Sequence, residues 1–477
     1  MTRGAVAALA MVGLLCAPSA AFAAHKHHSH PRATFHHNGV IFVHGFEGSG
    51  SQFESQKMRL TSNGYPDRYV TVFEYNSLEF ASALESGSSV QAQEQQLFAE
   101  MDQAVAHMKA ITHRRKVDLL GHSLGTKLMQ DYLNSSKQRA ANVAHYVNMD
   151  GMTANSPPGG VPTLALWGTK GPLSSKPGRR IKGAKNVFIP DSTHVQVATS
   201  PLSFRWFYKF FTGRAATTTR IVRKKGRITL SGRAVNFPQN SGLEGATVQV
   251  WPINQATGQR TSTKPIVQFV VGSAGDWGPV TVQSGRRYEL TLVRTDNPSA
   301  PVHHFYYEPF VRSDNLIRLL ESDAFRSAGG APDPRSSAMV IIRYKELLGD
   351  QGRENDVLTA NGISLCSPTT CPLSKLVNGL LVSDFDHDHT LDSGETWRPY
   401  QDASPYFISS ADEFIPAQSP PTGTVTIRLK SRGKGPVRTL TFPDFPSTTD
   451  VVTVQLNDFE QTTRRPTRCT PRRGHRC

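Results

Sequence analysis

Ser123 stands between two glycines, in Gly121-His122-Ser123-Leu124-Gly125. An apolar run of strand length, residues 116–120, precedes it. Residues 126–133 follow, with apolar side chains at helical spacing. Strand, sharp turn and helix form the setting of a nucleophile elbow. There the serine occupies a strained turn, so its hydroxyl stands clear of the backbone. Glycines two places either side let strand and helix pass without a Cβ clash. The Leu124 amide, at the start of the helix, is then placed to donate to an oxyanion. A second donor is expected from His44-Gly45-Phe46-Glu47-Gly48-Ser49-Gly50, which closes the apolar run Val40-Ile41-Phe42-Val43. The Phe46 amide is the candidate. Two amides aimed at one oxygen are worth about 3 kcal/mol each to a tetrahedral intermediate.

A nucleophile of this kind needs a base and an acid further along, in the order Ser, Asp or Glu, His. His194 follows a late strand in Asp191-Ser192-Thr193-His194 and can turn Nε2 towards Ser123. His145 lies inside a strand. The acid is less plainly marked. The loop at residues 168–173 carries none. Asp191 is too near His194 in sequence to sit behind its ring, and Asp118 lies within the strand before the elbow. Asp150, closing the strand at residues 142–149, is the candidate that would hold Nδ1–H of His194.

The elements around these residues alternate. Strands are expected at 40–43, 69–75, 116–120, 142–149, 162–167 and 186–189, with a long helix at 90–111 and a closing aromatic-rich helix at 201–211. Alternating strands and helices imply α/β architecture with a doubly wound parallel sheet. Residues 77–89, rich in Ser and Gly, read as a connection that could supply part of a lid. From about residue 217 the chain changes to short alternating strands separated by Gly, Asn and Ser, which implies all-β modules. The expected divisions are a signal peptide at 1–23, a His-rich leader at 24–37, a catalytic domain at 38–216, a β-sandwich at 217–300, a second β-rich module at 301–460 with a short helix at 316–322, and a basic tail at 461–477.

Several of these residues carry a resemblance. Phe42-Val43-His44-Gly45, Gln52-Phe53-Glu54-Ser55-Gln56-Lys57-Met58-Arg59, Gly121-His122-Ser123-Leu124-Gly125-Thr126 and Met149-Asp150-Gly151 are similar to a group of bacterial and archaeal lipases. Those have an α/β-hydrolase domain followed by a β-rich C-terminal domain. The resemblance is close over residues 38–212 and loose beyond. It implies carboxylic-ester hydrolysis, with acylglycerols as reference substrates. It also places the acid after the strand that follows the elbow helix, which supports Asp150. It suggests that the C-terminal part assists binding of long acyl chains. The aromatic stretch His303, His304, Phe305, Tyr306, Tyr307 and Phe310 could line such a surface, although ordinary strand core is the simpler reading. The same triad would suit a polyester depolymerase or an acyltransferase. A different class of reading is a surface-binding protein with an inactive hydrolase domain.

Composition bounds the setting. The 477 residues suffice for two or three domains. Arg3, the apolar residues 5–16 and Ala21-Phe22-Ala23 form a secretory signal pattern, so the mature chain is expected to begin at Ala24 and to be exported. Four cysteines then remain. The pairs Cys366–Cys371 and Cys469–Cys477 are the simplest of three connectivities, and zinc is disfavoured because neither pair has C-x-x-C spacing. The formal charge is +15, with basic runs at 220–227 and 464–476. Such charge suits anionic lipid headgroups or cell-wall polymers. No nucleic-acid partner is expected, because no such motif accompanies it. The histidines at 25–37 read as a disordered leader rather than a metal site.

No cofactor is expected for catalysis. One motif suggests a structural Ca²⁺: Asp384, Asp386, Asp388, Thr390, Asp392 and Glu395 fall at positions one, three, five, seven, nine and twelve of an EF-hand-like loop. His389 stands where the turn normally takes glycine.

Overall fold

The computed structural model describes residues 35–459 apart from 88–89, 296, 392–395, 397–405 and 434. Its contacts fall into two units, residues 1–36 and 37–477, and every element named below belongs to the second. The expected signal peptide, most of the His-rich leader, Asp392, Glu395, Cys469, Cys477 and the basic tail lie outside the described residues.

The first half alternates strand and helix. In order come β1 (Val40–Val43), α1 (Glu54–Ser62), β2 (Val70–Phe73), α2 (Ser77–Ser86), α3 (Val90–Thr112), β3 (Val117–His122), α4 (Leu124–Ser135), α5 (Lys137–Ala141), β4 (Val143–Met149), β5 (Thr163–Trp167), β6 (Lys185–Phe188), α6 (His194–Thr199) and α7 (Pro201–Thr212). The six strands form one parallel sheet ordered β2-β1-β3-β4-β5-β6. β1 shows why the sheet needs two helical layers. Ile41 and Val43 point into a core with Leu97, Phe98 and Met101 of α3 and Leu128 and Met129 of α4. Phe42 points the other way, stacking on Phe53 at 4.7 Å and meeting Phe207 of α7 edge-on at 6.5 Å. Apolar residues on both faces are the signature of a fully covered parallel sheet.

The strand order reverses between β1 and β3, and ligands bind beyond the carboxyl ends of strands at such a point. His44 and Ser123 each stand one residue past these two strands. Residues 77–86 are helical rather than the expected loop. Asn76 caps that helix by accepting from the Glu79 amide, and Gly87 ends it in a left-handed conformation.

The second half is β-rich. It contains β7 (Arg227–Asn236), β8 (Ser241–Gly242), β9 (Thr247–Pro252), β10 (Val267–Val270), β11 (Asp276–Gln283), β12 (Tyr288–Val293), β13 (Val302–Tyr307), β14 (Asp314–Glu321), α8 (Asp323–Ser327), β15 (Met339–Arg343), β16 (Val357–Ala360), β17 (Ile363–Ser364), β18 (Gly379–Ser383), β19 (Ile408–Asp412), β20 (Thr424–Lys430), β21 (Val437–Pro443) and β22 (Asp450–Leu456). Where a short helix was expected at 316–322, the chain forms β14, paired in parallel with β7. A near-continuous apolar run fits either state, and pairing decides it.

Nor do the sheets divide at residue 300. An eight-stranded sheet, β10-β9-β12-β13-β22-β15-β18-β19, runs through that position, because β12 and β13 pair antiparallel. One end of it packs on the β11-β7-β14 sheet through Leu230, Val250, Leu290, Phe305 and Ile317. The other packs on the β17-β16-β20-β21 sheet through Ile341, Leu358, Ile427, Phe442 and Val454. The aromatic stretch at 303–307 is β13 itself, buried. Cys366 and Cys371 lie buried at disulfide distance, their Cα atoms 5.3 Å apart.

Candidate active site

Ser123 opens the turn between β3 and α4 with φ 53°, in the left-handed region that disfavours side chains. The glycines around it are sterically required. A Cβ on Gly125 would lie 2.3 Å from the His44 carbonyl oxygen, and one on Gly121 would lie 2.8 Å from the Gly125 carbonyl oxygen. A Cβ on Gly45 would meet Cβ of Ser123 at 2.7 Å, so the loop after β1 passes directly over the serine.

Ser123 Oγ and His194 Nε2 are 2.8 Å apart, and His194 Nδ1 lies 2.7 Å from Asp150 Oδ2. Asp150 sits one residue past β4, wholly enclosed. Three further groups donate to it: the Gly168 amide (2.6 Å) and Arg179 Nη2 (2.8 Å) to Oδ1, and Ser174 Oγ (2.6 Å) to Oδ2. Burial alone would raise the pKa of this carboxyl. The bond to His194, with Arg179 and Ser174 behind it, instead holds it down to about 2. Asp150 is therefore an anion at neutral pH, and an anion there stabilises an imidazolium at His194. Arg179 is itself fixed, its guanidinium 4.6 Å above the Trp167 ring.

His194 is the first residue of α6, rather than a loop residue. Two neighbours hold the turn around it. His122 Nε2 donates to the His194 carbonyl at 2.9 Å, and a carbonyl can only accept, so His122 Nδ1 is left to accept from Gln52 Nε2 at 3.1 Å. Burial pushes His122 down to about 3, which keeps it neutral and preserves that tautomer. Glu346, fully buried and far along the chain, accepts from Thr193 Oγ1 at 2.5 Å and from the Val195 amide at 2.8 Å. The sequence reading missed Glu346, Arg179 and Ser174.

Phe46 borders the cavity above Ser123, and Leu124 begins α4, where first-turn amides lack an intrahelical acceptor. The loop that carries Phe46 is braced from the second half of the chain. Asn240 Nδ2 donates to the Gly48 carbonyl at 2.9 Å. The Gly50 amide donates to Glu74 Oε1 at 2.6 Å, and Arg318 Nε reaches the same oxygen at 2.7 Å. Apolar side chains of the second half, including Phe237, Leu320, Phe325, Ile342 and Phe407, line the cavity beside Ser123 and His194.

The other candidates lie apart. Asp118 is buried and accepts from His145 Nδ1 at 2.8 Å and from Asn38. Asp191 is an exposed turn residue with φ 52°. Asp384, Asp386 and Asp388 gather at the end of β18, with a strand rather than a helix before them. Arg220, Arg223, Lys224, Lys225 and Arg227 are all exposed.

Residues 37–147 match the family described as lipase (class 2), and residues 226–324 match the lipase C-terminal domain. A further C-terminal-domain family matches residues 330–460. The chain is a lipase-like α/β-hydrolase with a C-terminal β region. The class 2 match carries Ser123 and ends before Asp150 and His194. Comparison with curated proteins returns no match. Among solved structures, this hydrolase is similar to a lipase B from Aspergillus fumigatus, at 14% identity and TM-score 0.28, over 38% of this chain and 54% of that one. It thus spans about half the length of that relative. A predicted CIB-like hydrolase from Thermoplasma acidophilum matches at 14% identity and TM-score 0.26, over 37% of this chain and 87% of that one. A hydrolase of the alpha/beta superfamily from Xanthomonas campestris pv. campestris matches at 16% identity and TM-score 0.27, over 37% and 99%.

Proposed function

We propose that this hydrolase is an exported serine esterase that cleaves carboxylic esters, acylglycerol-like ones among them, through an acyl-enzyme. Ser123 Oγ attacks the ester carbonyl carbon while His194 Nε2 takes its proton. Asp150 holds Nδ1–H of His194 and stabilises the imidazolium. The amides of Phe46 and Leu124 donate to the oxyanion. Collapse of the tetrahedral intermediate expels the alcohol, which takes the proton back from His194. Water then repeats the sequence on the acyl-enzyme and releases the acid.

The observation that carries this reading is the unbroken relay from Ser123 through His194 to an ionised Asp150, at 2.8 and 2.7 Å. Its place beside an apolar cavity supports an acyl chain as the group bound there. The exposed basic run at 220–227 is a face suited to an anionic lipid or cell-wall surface. The test is hydrolysis of p-nitrophenyl esters from short to long acyl chains. Turnover that persists or rises with chain length is expected. Turnover confined to the shortest esters would remove acylglycerol-like substrates from the account.

A further inference from the structure

We propose that Asp384, Asp386 and Asp388 bind one calcium ion, at the end of β18 remote from the catalytic cavity. Each offers a carboxylate oxygen, and these oxygens all lie within 4.8 Å of one another. Asp386 and Asp388 are exposed, but the Asp384 side chain is only 2% exposed. Its Oδ2 accepts no hydrogen bond from any described residue. The nearest basic group, His389 Nε2, is 3.7 Å away and is engaged by Asp333 Oδ2 at 2.5 Å. Arg335 and His387 also face Asp333. A buried carboxylate oxygen without a donor is costly, and a hard cation shared with two neighbouring carboxylates removes that cost.

The loop's own amides fold it around these carboxylates. The Asp388 amide donates to Asp386 Oδ1 at 3.2 Å, and the Thr390 amide to Asp388 Oδ1 at 2.8 Å. His389 takes φ 58°, the left-handed turn that glycine supplies in EF-hand loops. Asp412, at the end of the adjacent β19, accepts from the Phe385 amide at 2.7 Å and ties that strand to the start of the loop. Oxygen-only carboxylate donors favour a hard cation such as Ca²⁺ over a soft metal. The expected ligands Asp392 and Glu395 lie outside the described residues and form no part of the proposal. Because β19 begins at Ile408, which lines the catalytic cavity, an ion at the far end would brace that wall.

The experiment is thermal melting of the full chain after EDTA treatment, with and without about 5 mM Ca²⁺, a concentration above the weakest extracellular sites. Terbium luminescence titration in parallel reports binding directly. A rise of about 2–4 °C is expected for a site of this class. The Asp386→Asn/Asp388→Asn variant, altered only at exposed positions, should melt near the calcium-free wild type and lose both the rise and the terbium signal. The proposal fails if wild type neither binds terbium nor shifts with calcium. It fails equally if Mg²⁺ reproduces the shift, or if the double variant keeps it.

Discussion

Ser123, Asp150 and Asp191 each hold a positive φ without being glycine, at 53°, 46° and 52°. Such conformations cost on the order of 1–3 kcal/mol and persist only where surrounding contacts enforce them. For Ser123 the enforcement is the crossing of β3, α4 and the loop after β1. For Asp150 it is the four donors that fix its carboxylate. Asp191 has no comparable surroundings; it is exposed in a turn. This difference yields a test of the acid. Asp150→Asn should lower kcat about 10³–10⁴-fold, since the amide cannot stabilise an imidazolium and favours the wrong tautomer. Asp191→Asn should leave kcat within about twofold, as ordinary surface substitutions do. Equal losses would overturn the assignment. The serine and histidine were legible from the elbow pattern and the position after a late strand. The acid was less so, because the loop after β5 lacks one. The structure gives that loop another part: its Gly168 amide donates to Asp150, and so does the nearby Ser174 hydroxyl.

Elements position the base as much as residues do. α6 begins at His194, so the orientation of its first turn sets where Nε2 points. Glu346 grips that turn from the β-rich half, 150 or more residues away in sequence. Glu346→Ala would leave the Val195 amide and Thr193 hydroxyl without their acceptor, at a cost of about 1–3 kcal/mol. The expected outcome is a kcat about 10–100-fold lower with KM for a short ester little changed, partly restored by Glu346→Gln. A rise in KM alone would show that Glu346 shapes the cavity rather than the base. No local pattern could have joined residue 346 to residues 193–196, because hydrophobic periodicity reports which face is buried and not what it meets. The same limit explains β14. Leu316, Ile317, Leu319 and Leu320 are all buried, and such a run has no period that separates helix from strand. It also explains α2, whose Ser-rich sequence, ending at Gly87, read as a connection until its capping was visible.

Across the whole molecule, the two halves line one cavity. The parallel sheet was legible from its apolar runs, and the all-β character of the second half from its alternation. The way they combine was not. The eight-stranded sheet passes through both expected C-terminal modules, and its β18 and β19 present Gly379 and Ile408 to the cavity beside Ser123. Asn240 and Arg318 brace the loop that carries Phe46, through Gly48 and Glu74. The β-rich half thus lines the cavity beside Ser123 and braces the loop above it. The most direct measurement is labelling of the full chain by a fluorophosphonate, followed by peptide mass mapping, in wild type and Ser123→Ala. A single stoichiometric adduct on Ser123 is expected, absent from the variant and slowed in Asp150→Asn. An unlabelled wild type, or an adduct on another serine, would contradict it.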